Sequence, residues 1–119
     1  MNTRLSSHDL AIALCSRSIC RVQVGAVISD QWGIFSWGWN HSGDSTGMHA
    51  EQFALLRANR KRLKGAKITV AAIRRPNRQL ITAKPCEERC SKLIAHYGIA
   101  IVEFTIKSGG WEIINFSPS

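Results

Sequence analysis

Ile68-Thr69-Val70-Ala71-Ala72-Ile73 is an unbroken run of apolar and β-branched residues, the pattern of a buried strand. Residues 87–97 then read as a helix, with Leu93 and Ile94 toward the core and Gly98 as its stop. Residues 99–107 return to strand, led by Ile99, Ile101 and Val102. Strand, helix and strand in that order predict a parallel pair joined by a right-handed crossover.

Outward from this unit the same signals continue. Ser6-Ser7-His8-Asp9 looks like a helix start, with Ser6 or Ser7 as N-cap, and Leu10, Ile12, Ala13 and Leu14 supply apolar surface through Arg17. Val22-Gln23-Val24-Gly25-Ala26-Val27-Ile28-Ser29 reads as a largely buried strand. Asp30-Gln31-Trp32-Gly33 predicts a turn into a second, hairpin-paired strand over residues 34–40. Residues 41–47 read as a polar loop, and residues 48–61 as a helix with Phe53, Ala54, Leu56 and Ala58 as its apolar stripe. Its basic end (Arg57, Arg60, Lys61, Arg62, Lys64) suits the helix dipole, and Gly65 suits a stop. Arg74 to Arg78 form a basic turn, and residues 80–84 read as a short extended piece leading into Pro85. Ser108-Gly109-Gly110 is a hairpin signal before a last strand over residues 111–116. The predicted order, αββαβαββ, implies an α/β fold with a mixed five-stranded sheet covered on both faces, strands 4 and 5 being antiparallel.

With 119 residues the chain has the length of one domain, and a hydrophobic content of 45% excludes wholesale disorder. No apolar run approaches the ~20 residues that span a bilayer, and the N-terminal residues lack an apolar signal core. The expected setting is therefore cytoplasmic, away from membranes, with thiols reduced. Sixteen Lys and Arg against eight Asp and Glu give a net charge of +8, which favours anionic partners such as nucleotides or nucleic acid. Four cysteines (Cys15, Cys20, Cys86 and Cys90) in a reducing compartment point to metal binding or catalysis before disulfides. Cys15 and Cys20 read as small buried hydrophobes, and His8, His41 and His96 as surface groups.

Two pieces carry chemistry. His49-Ala50-Glu51 opens one predicted helix, and Pro85-Cys86-Glu87-Glu88-Arg89-Cys90 opens another. One imidazole and two thiolates supply three ligands to a tetrahedral Zn2+ and leave the fourth position open, which is the catalytic arrangement. Cys86 and Cys90 are four apart, about 40° around a helix axis, so on a helix both thiolates face one ion. Glu51, near the open position without ligating, is the expected carrier of a proton from water to a leaving group.

His-x-Glu followed by Pro-Cys-x-x-Cys is the signature of zinc nucleobase deaminases, and here it reads His49-Ala50-Glu51 and Pro85-Cys86 with Cys90. On these residues, and on residues 18–28 and Gly38-Trp39-Asn40, the chain resembles the cytidine/deoxycytidylate deaminase superfamily along most of its length. The resemblance implies a three-layer α/β/α fold and a Zn2+ hydrolase that converts cytosine to uracil in a nucleoside or nucleotide. It implies Glu51 as catalytic residue and His49, Cys86 and Cys90 as metal ligands. Asn40 carries over as a substrate contact. Ala50, through its backbone amide, together with Trp39, His41 and Lys84, completes the expected substrate-binding set. Homo-oligomers are common among such relatives. Two features depart from the usual pattern: three residues separate the cysteines instead of two, and the tail forms a hairpin where many relatives have a helix. Two other readings stay open: a deaminase of single-stranded DNA or RNA, which suits the charge, and a zinc-stabilised nucleic-acid-binding module without turnover.

Overall fold

The structure is a computed structural model and describes residues 6–41, 48–87 and 89–116. In chain order it contains α1 (Ser7–Cys15), β1 (Val22–Asp30), β2 (Gly33–Trp39), α2 (Ala50–Arg57), α3 (Arg60–Leu63), β3 (Lys67–Arg74), β4 (Gln79–Ile81), α4 (Cys90–His96), β5 (Ile101–Thr105) and β6 (Trp111–Asn115). The sheet runs β2-β1-β3-β5-β6, with β4 on β3. β3 and β5 are parallel, and β5 and β6 are antiparallel, as the crossover and the glycine turn predict. Among the described residues no helix is long and apolar enough to cross a membrane.

The sheet has six strands, not five. The extra one is β4, whose Leu80 and Ile81 pair back onto Ile73 and Ala72 after the Arg75–Arg78 turn. Two helices also differ from expectation. The helix predicted over 48–61 breaks at Ala58, whose ψ of 152° is extended, and Asn59 then caps α3 by accepting from the Lys61 N–H at 3.0 Å. The buried face of α2 is Ala50, Glu51, Ala54 and Leu55, while Leu56 is exposed. The helix predicted to start at residue 87 starts at Cys90.

Alternation along the strands sends side chains to two cores. Ala26 and Ile28 of β1 and Ile68, Val70 and Ala72 of β3 pack toward α2 and α4. Val27, Ala71 and Ile73 pack toward α1. Cys15 is wholly buried in this second core, and burial pushes its thiol up to about 11, so it stays protonated as a small hydrophobe. Cys20 is buried as well. His8 is less free than expected: its ring stacks on Trp111 at 3.9 Å, and Nε2 lies 2.8 Å from the Glu103 carboxylate.

Gly25 sets how closely α1 approaches the sheet. A Cβ there would lie 2.2 Å from the Ala11 carbonyl oxygen and 2.9 Å from Leu14 Cβ. Backbone cannot yield cheaply, so Gly25→Ala should destabilise the fold by about 3 kcal/mol, the upper range for overpacking. Chemical denaturation measures this, and an unchanged midpoint would refute the close-packing role. Gly38 does the same for α2, where a Cβ would come within 2.8 Å of the Ala54 amide nitrogen. At the other end of β1, Asp30 holds Arg62 of α3 through two contacts of 2.7 and 2.8 Å.

Candidate active site

His49 occupies the N-cap of α2 with extended backbone (φ −77°, ψ 152°), and its side chain makes no capping bond. The imidazole is thereby left to other partners. Two residues on, Glu51 is only 6% exposed. Burial raises its carboxyl above the ordinary range. Burial, aided by the Arg89 charge, lowers His49, which favours the neutral, ligating form.

Cys86 and Cys90 meet differently from the expected shared helix face. Cys86 precedes α4, and the Cys90 N–H donates to its Sγ at 3.3 Å. The Ser91 N–H donates to the Cys86 carbonyl at 2.8 Å. A turn therefore folds the first cysteine over the start of α4, and three intervening residues suffice for this without a helical register. Cys90 is fully buried, and Cys86 is open to solvent. Burial, then the nearby Glu51 and Cys86, push the Cys90 thiol far up. Two thiols and a carboxylate crowded in this way form a cluster that a dication would relieve.

His49 Nδ1 lies 3.2 Å from Cys90 Sγ and 3.7 Å from Cys86 Sγ. In a tetrahedral zinc site, bond lengths of ~2.3 Å to sulfur and ~2.05 Å to nitrogen put ligand atoms about 3.6 Å apart. The three donors thus fit Zn2+ in type and spacing, and all three lie within 4.8 Å of one another. Among the described residues this is the one such group.

The donors open on a cavity of about 230 Å³. Glu51, His49, Ala50 and Cys86 line it, as do Asn40 and Lys84. Val22, Val24 and Ala72 supply an apolar wall that sequence reasoning did not single out. The alternation of Val22 and Val24 on β1 was its available signal. Thr105 was also missed: its hydroxyl accepts from the Ala72 N–H and donates to the Ile81 carbonyl, and its own carbonyl accepts from the Ala83 N–H at 2.9 Å. This wholly buried threonine steers the chain from β4 to Cys86. A larger cavity of about 580 Å³ lies beside Ser6 and Trp32, at Asp30, a carboxylate already committed to Arg62.

Trp39 and His41 are not among the described residues that line this cavity. They stack on each other at 5.7 Å and pack edge-on to Phe53, while Arg17 lies over Trp39. Asn40 reaches the cavity with its carboxamide already engaged. Oδ1 accepts from the Val24 N–H at 2.9 Å, and Nδ2 donates to the Val22 carbonyl at 2.8 Å. Asn40 thus clamps the strand that walls the cavity. Asn40→Ala should cost roughly 1–3 kcal/mol by leaving both groups unpaired. A thermal-denaturation midpoint equal to that of the wild type would sink this clamp.

The chain matches the cytidine and deoxycytidylate deaminase zinc-binding region over residues 1–106. The chain belongs to this family. Its zinc-binding region and the His49, Cys86 and Cys90 donor set together support Zn2+ as the cofactor. A cytidine deaminase from Burkholderia pseudomallei has the same fold at 21% identity, with a TM-score of 0.72 over 92% of this chain and 90% of that one. A dCMP deaminase from the cyanophage S-TIM5, solved in complex with dCMP and dUMP, aligns at 25% identity and a TM-score of 0.61. That alignment covers 81% of this chain and 75% of the phage protein. The search of curated proteins gives no match. Family, fold and donor set all support cytosine deamination.

Proposed function

We propose that this chain hydrolyses the exocyclic amine of a cytosine base in a nucleoside or nucleotide, giving uracil and ammonia. The observation that carries this reading is the buried Glu51 carboxyl in a cavity lined by His49 and Cys86, two of the three convergent zinc-type donors. His49, Cys86 and Cys90 hold the metal. Zinc, when bound, supplies a Lewis acid that makes a water nucleophilic near neutral pH. Glu51 accepts one proton of the attacking water and returns it to the ring nitrogen; it then takes the remaining proton from the hydroxyl now on C4 and passes it to the departing amine, leaving the C4 carbonyl of uracil. Overall one water is consumed and one ammonia released. Ala50 and Cys86 line the cavity, and their backbone amides would stabilise developing negative charge there. Val22, Val24 and Ala72 keep the base's surroundings apolar, which strengthens each of these interactions. The thiols require a reducing compartment, consistent with the cytoplasm.

The test is ammonia release at matched zinc occupancy from cytidine, deoxycytidine, deoxycytidylate and a cytosine-containing single strand. No release from any of them by the zinc-loaded protein refutes cytosine deamination and favours the zinc-stabilised binding module.

A second reading, deamination within a polynucleotide, is favoured by the net charge of +8 and by Arg17 and Arg57 lying over Trp39, Trp37 and Phe53. Binding across several phosphates would fall steeply with salt, whereas a single phosphate gives a shallow slope.

A further inference from the structure

The two ends of β1 carry different surroundings. Val22, at its start, walls the catalytic cavity. Asp30, at its end, lines a separate cavity of about 400 Å³ together with Gln31, Lys61, Arg62, Lys64 and Gly65. At ~3.3 Å per residue, the nine-residue strand sets Val22 and Asp30 about 26 Å apart. The second cavity therefore lies outside the deaminase site.

Cations dominate this end of the sheet, and most are already committed. The Arg62 guanidinium donates to both oxygens of Asp30, at 2.7 and 2.8 Å. The Lys67 ammonium lies 2.8 Å from the Glu103 carboxylate. Arg60 lies over the Tyr97 ring at 5.7 Å. Lys61 and Lys64 remain: both are exposed, and among the described residues neither ammonium has a hydrogen-bond or ion-pair partner. Asp30 and Glu103, the carboxylates that would repel an anion here, are neutralised by the pairs above. The two lysines thus offer uncompensated positive charge at the cavity.

Trp32 stands on the same turn, next to Gln31, and is 78% exposed. Among the described residues no ring or guanidinium packs on its indole, unlike Trp37, Trp39 and Trp111. Its backbone is nevertheless fixed. The Trp32 N–H donates to Asp30 Oδ1 at 2.9 Å, and Gly33 closes the turn at a φ of 119°. Because Asp30 also holds Arg62, one carboxylate braces the turn that bears the indole against α3, which carries Lys61 and is C-capped by Lys64. An open indole face and two unpaired ammonium groups on one braced surface are the parts that a single nucleic-acid strand engages: a base stacks on the ring, and phosphates meet the charges.

We propose that Trp32, Lys61 and Lys64 form a sequence-independent contact for single-stranded nucleic acid at the end of the sheet opposite the catalytic cavity. An ammonium acts as a point charge without the forked geometry of arginine, so the lysines hold backbone phosphates without selecting a particular group. Exposed charges are screened by salt, so two lysines hold one free anion weakly, whereas a strand adds further phosphates and a base for the indole. An acidic polypeptide would satisfy the lysines and leave the indole unused, and a duplex would keep its base faces stacked inside. The contact stands independently of deamination, because a strand held here lies outside the cavity.

The experiment follows the fluorescence anisotropy of a labelled thymine-only single strand over a range of salt concentrations. It uses the zinc-loaded wild type, the double variant Lys61→Gln with Lys64→Gln, Trp32→Ala, and the control Lys107→Gln. A strand without cytosine keeps the readout free of turnover. Loss of two phosphate contacts should flatten the slope of log K against log salt by about 1.4. Trp32→Ala should weaken binding roughly tenfold and leave the slope unchanged, the worth of one stacked base. Lys107→Gln removes the same charge from the β5–β6 turn, at the other end of the sheet, and should bind like the wild type. Absence of wild-type binding at low salt overturns the contact. So does binding that the double variant and Trp32→Ala leave unchanged, or an equal loss in the Lys107 control. Duplex binding as tight as that of the strand overturns the stacking role. Displacement of the strand by inorganic tripolyphosphate or by a polyglutamate peptide, at equal total charge, overturns the nucleic-acid assignment in favour of that anion.

Discussion

Glu51→Gln should keep its zinc and lose about 10²- to 10⁴-fold in deamination rate, the usual worth of a positioned general acid–base. The carboxamide preserves the shape of a side chain that is only 6% exposed at the start of α2, so the change removes proton-carrying ability and little else. Burial already raises this carboxyl, so a neutral isostere removes an unfavourable buried charge and should not lower stability. Three measurements belong together: zinc content, thermal midpoint and ammonia release. Turnover within tenfold of the wild type, at full zinc occupancy, would remove Glu51 from the reaction.

Cys90→Ala should abolish stoichiometric zinc. Losing a group that merely supports a ligand costs 10- to 100-fold in metal affinity, and losing a ligand costs more. Cys90 is fully buried with Sγ 3.2 Å from His49 Nδ1, so no solvent-exposed thiol can replace it without moving α4. Because the metal binds the folded chain, chelation should lower the melting temperature of the wild type and leave that of Cys90→Ala unchanged. Cys86→Ala should lose zinc too, though its thiol is exposed. Its loss also deprives the Cys90 N–H of the Sγ that accepts it. Metal analysis after dialysis reads both variants, and wild-type zinc content in either refutes that cysteine as a ligand.

Much of the architecture was legible because it is written in neighbours along the chain. The β-branched run of β3, the helix ended by Gly98 and the apolar start of β5 gave the parallel pair. Ser108-Gly109-Gly110 gave the antiparallel end of the sheet, where the Ile106 N–H donates to the Gly110 carbonyl. What was misread turned on single residues whose local geometry competes with the pattern. Ala58 and Asn59 interrupt an otherwise continuous helical stretch, because an asparagine side chain that can cap a new helix ends the old one. The sequence of β4 predicts no more than an extended piece, because three residues carry too little periodicity to announce a strand.

The site divides along the same line. The kinds of donor and their grouping into two short pieces were determined by sequence alone: His49, Cys86 and Cys90 point to zinc through their chemistry, and Glu51 beside them is the expected proton carrier. Tertiary structure decided how they meet. His49 and the cysteines are about forty residues apart, and only α2 and α4 packing on one face of the sheet bring Nδ1 to Sγ. It decided that Cys86 arrives by a turn instead of a helix face, that Asn40 spends its amide on β1, and that Trp39 and His41 stack on each other and pack on Phe53. Periodicity within a segment is local, and a sequence carries it openly. Register and packing between segments depend on which distant surfaces exclude water together, and only the folded chain expresses that.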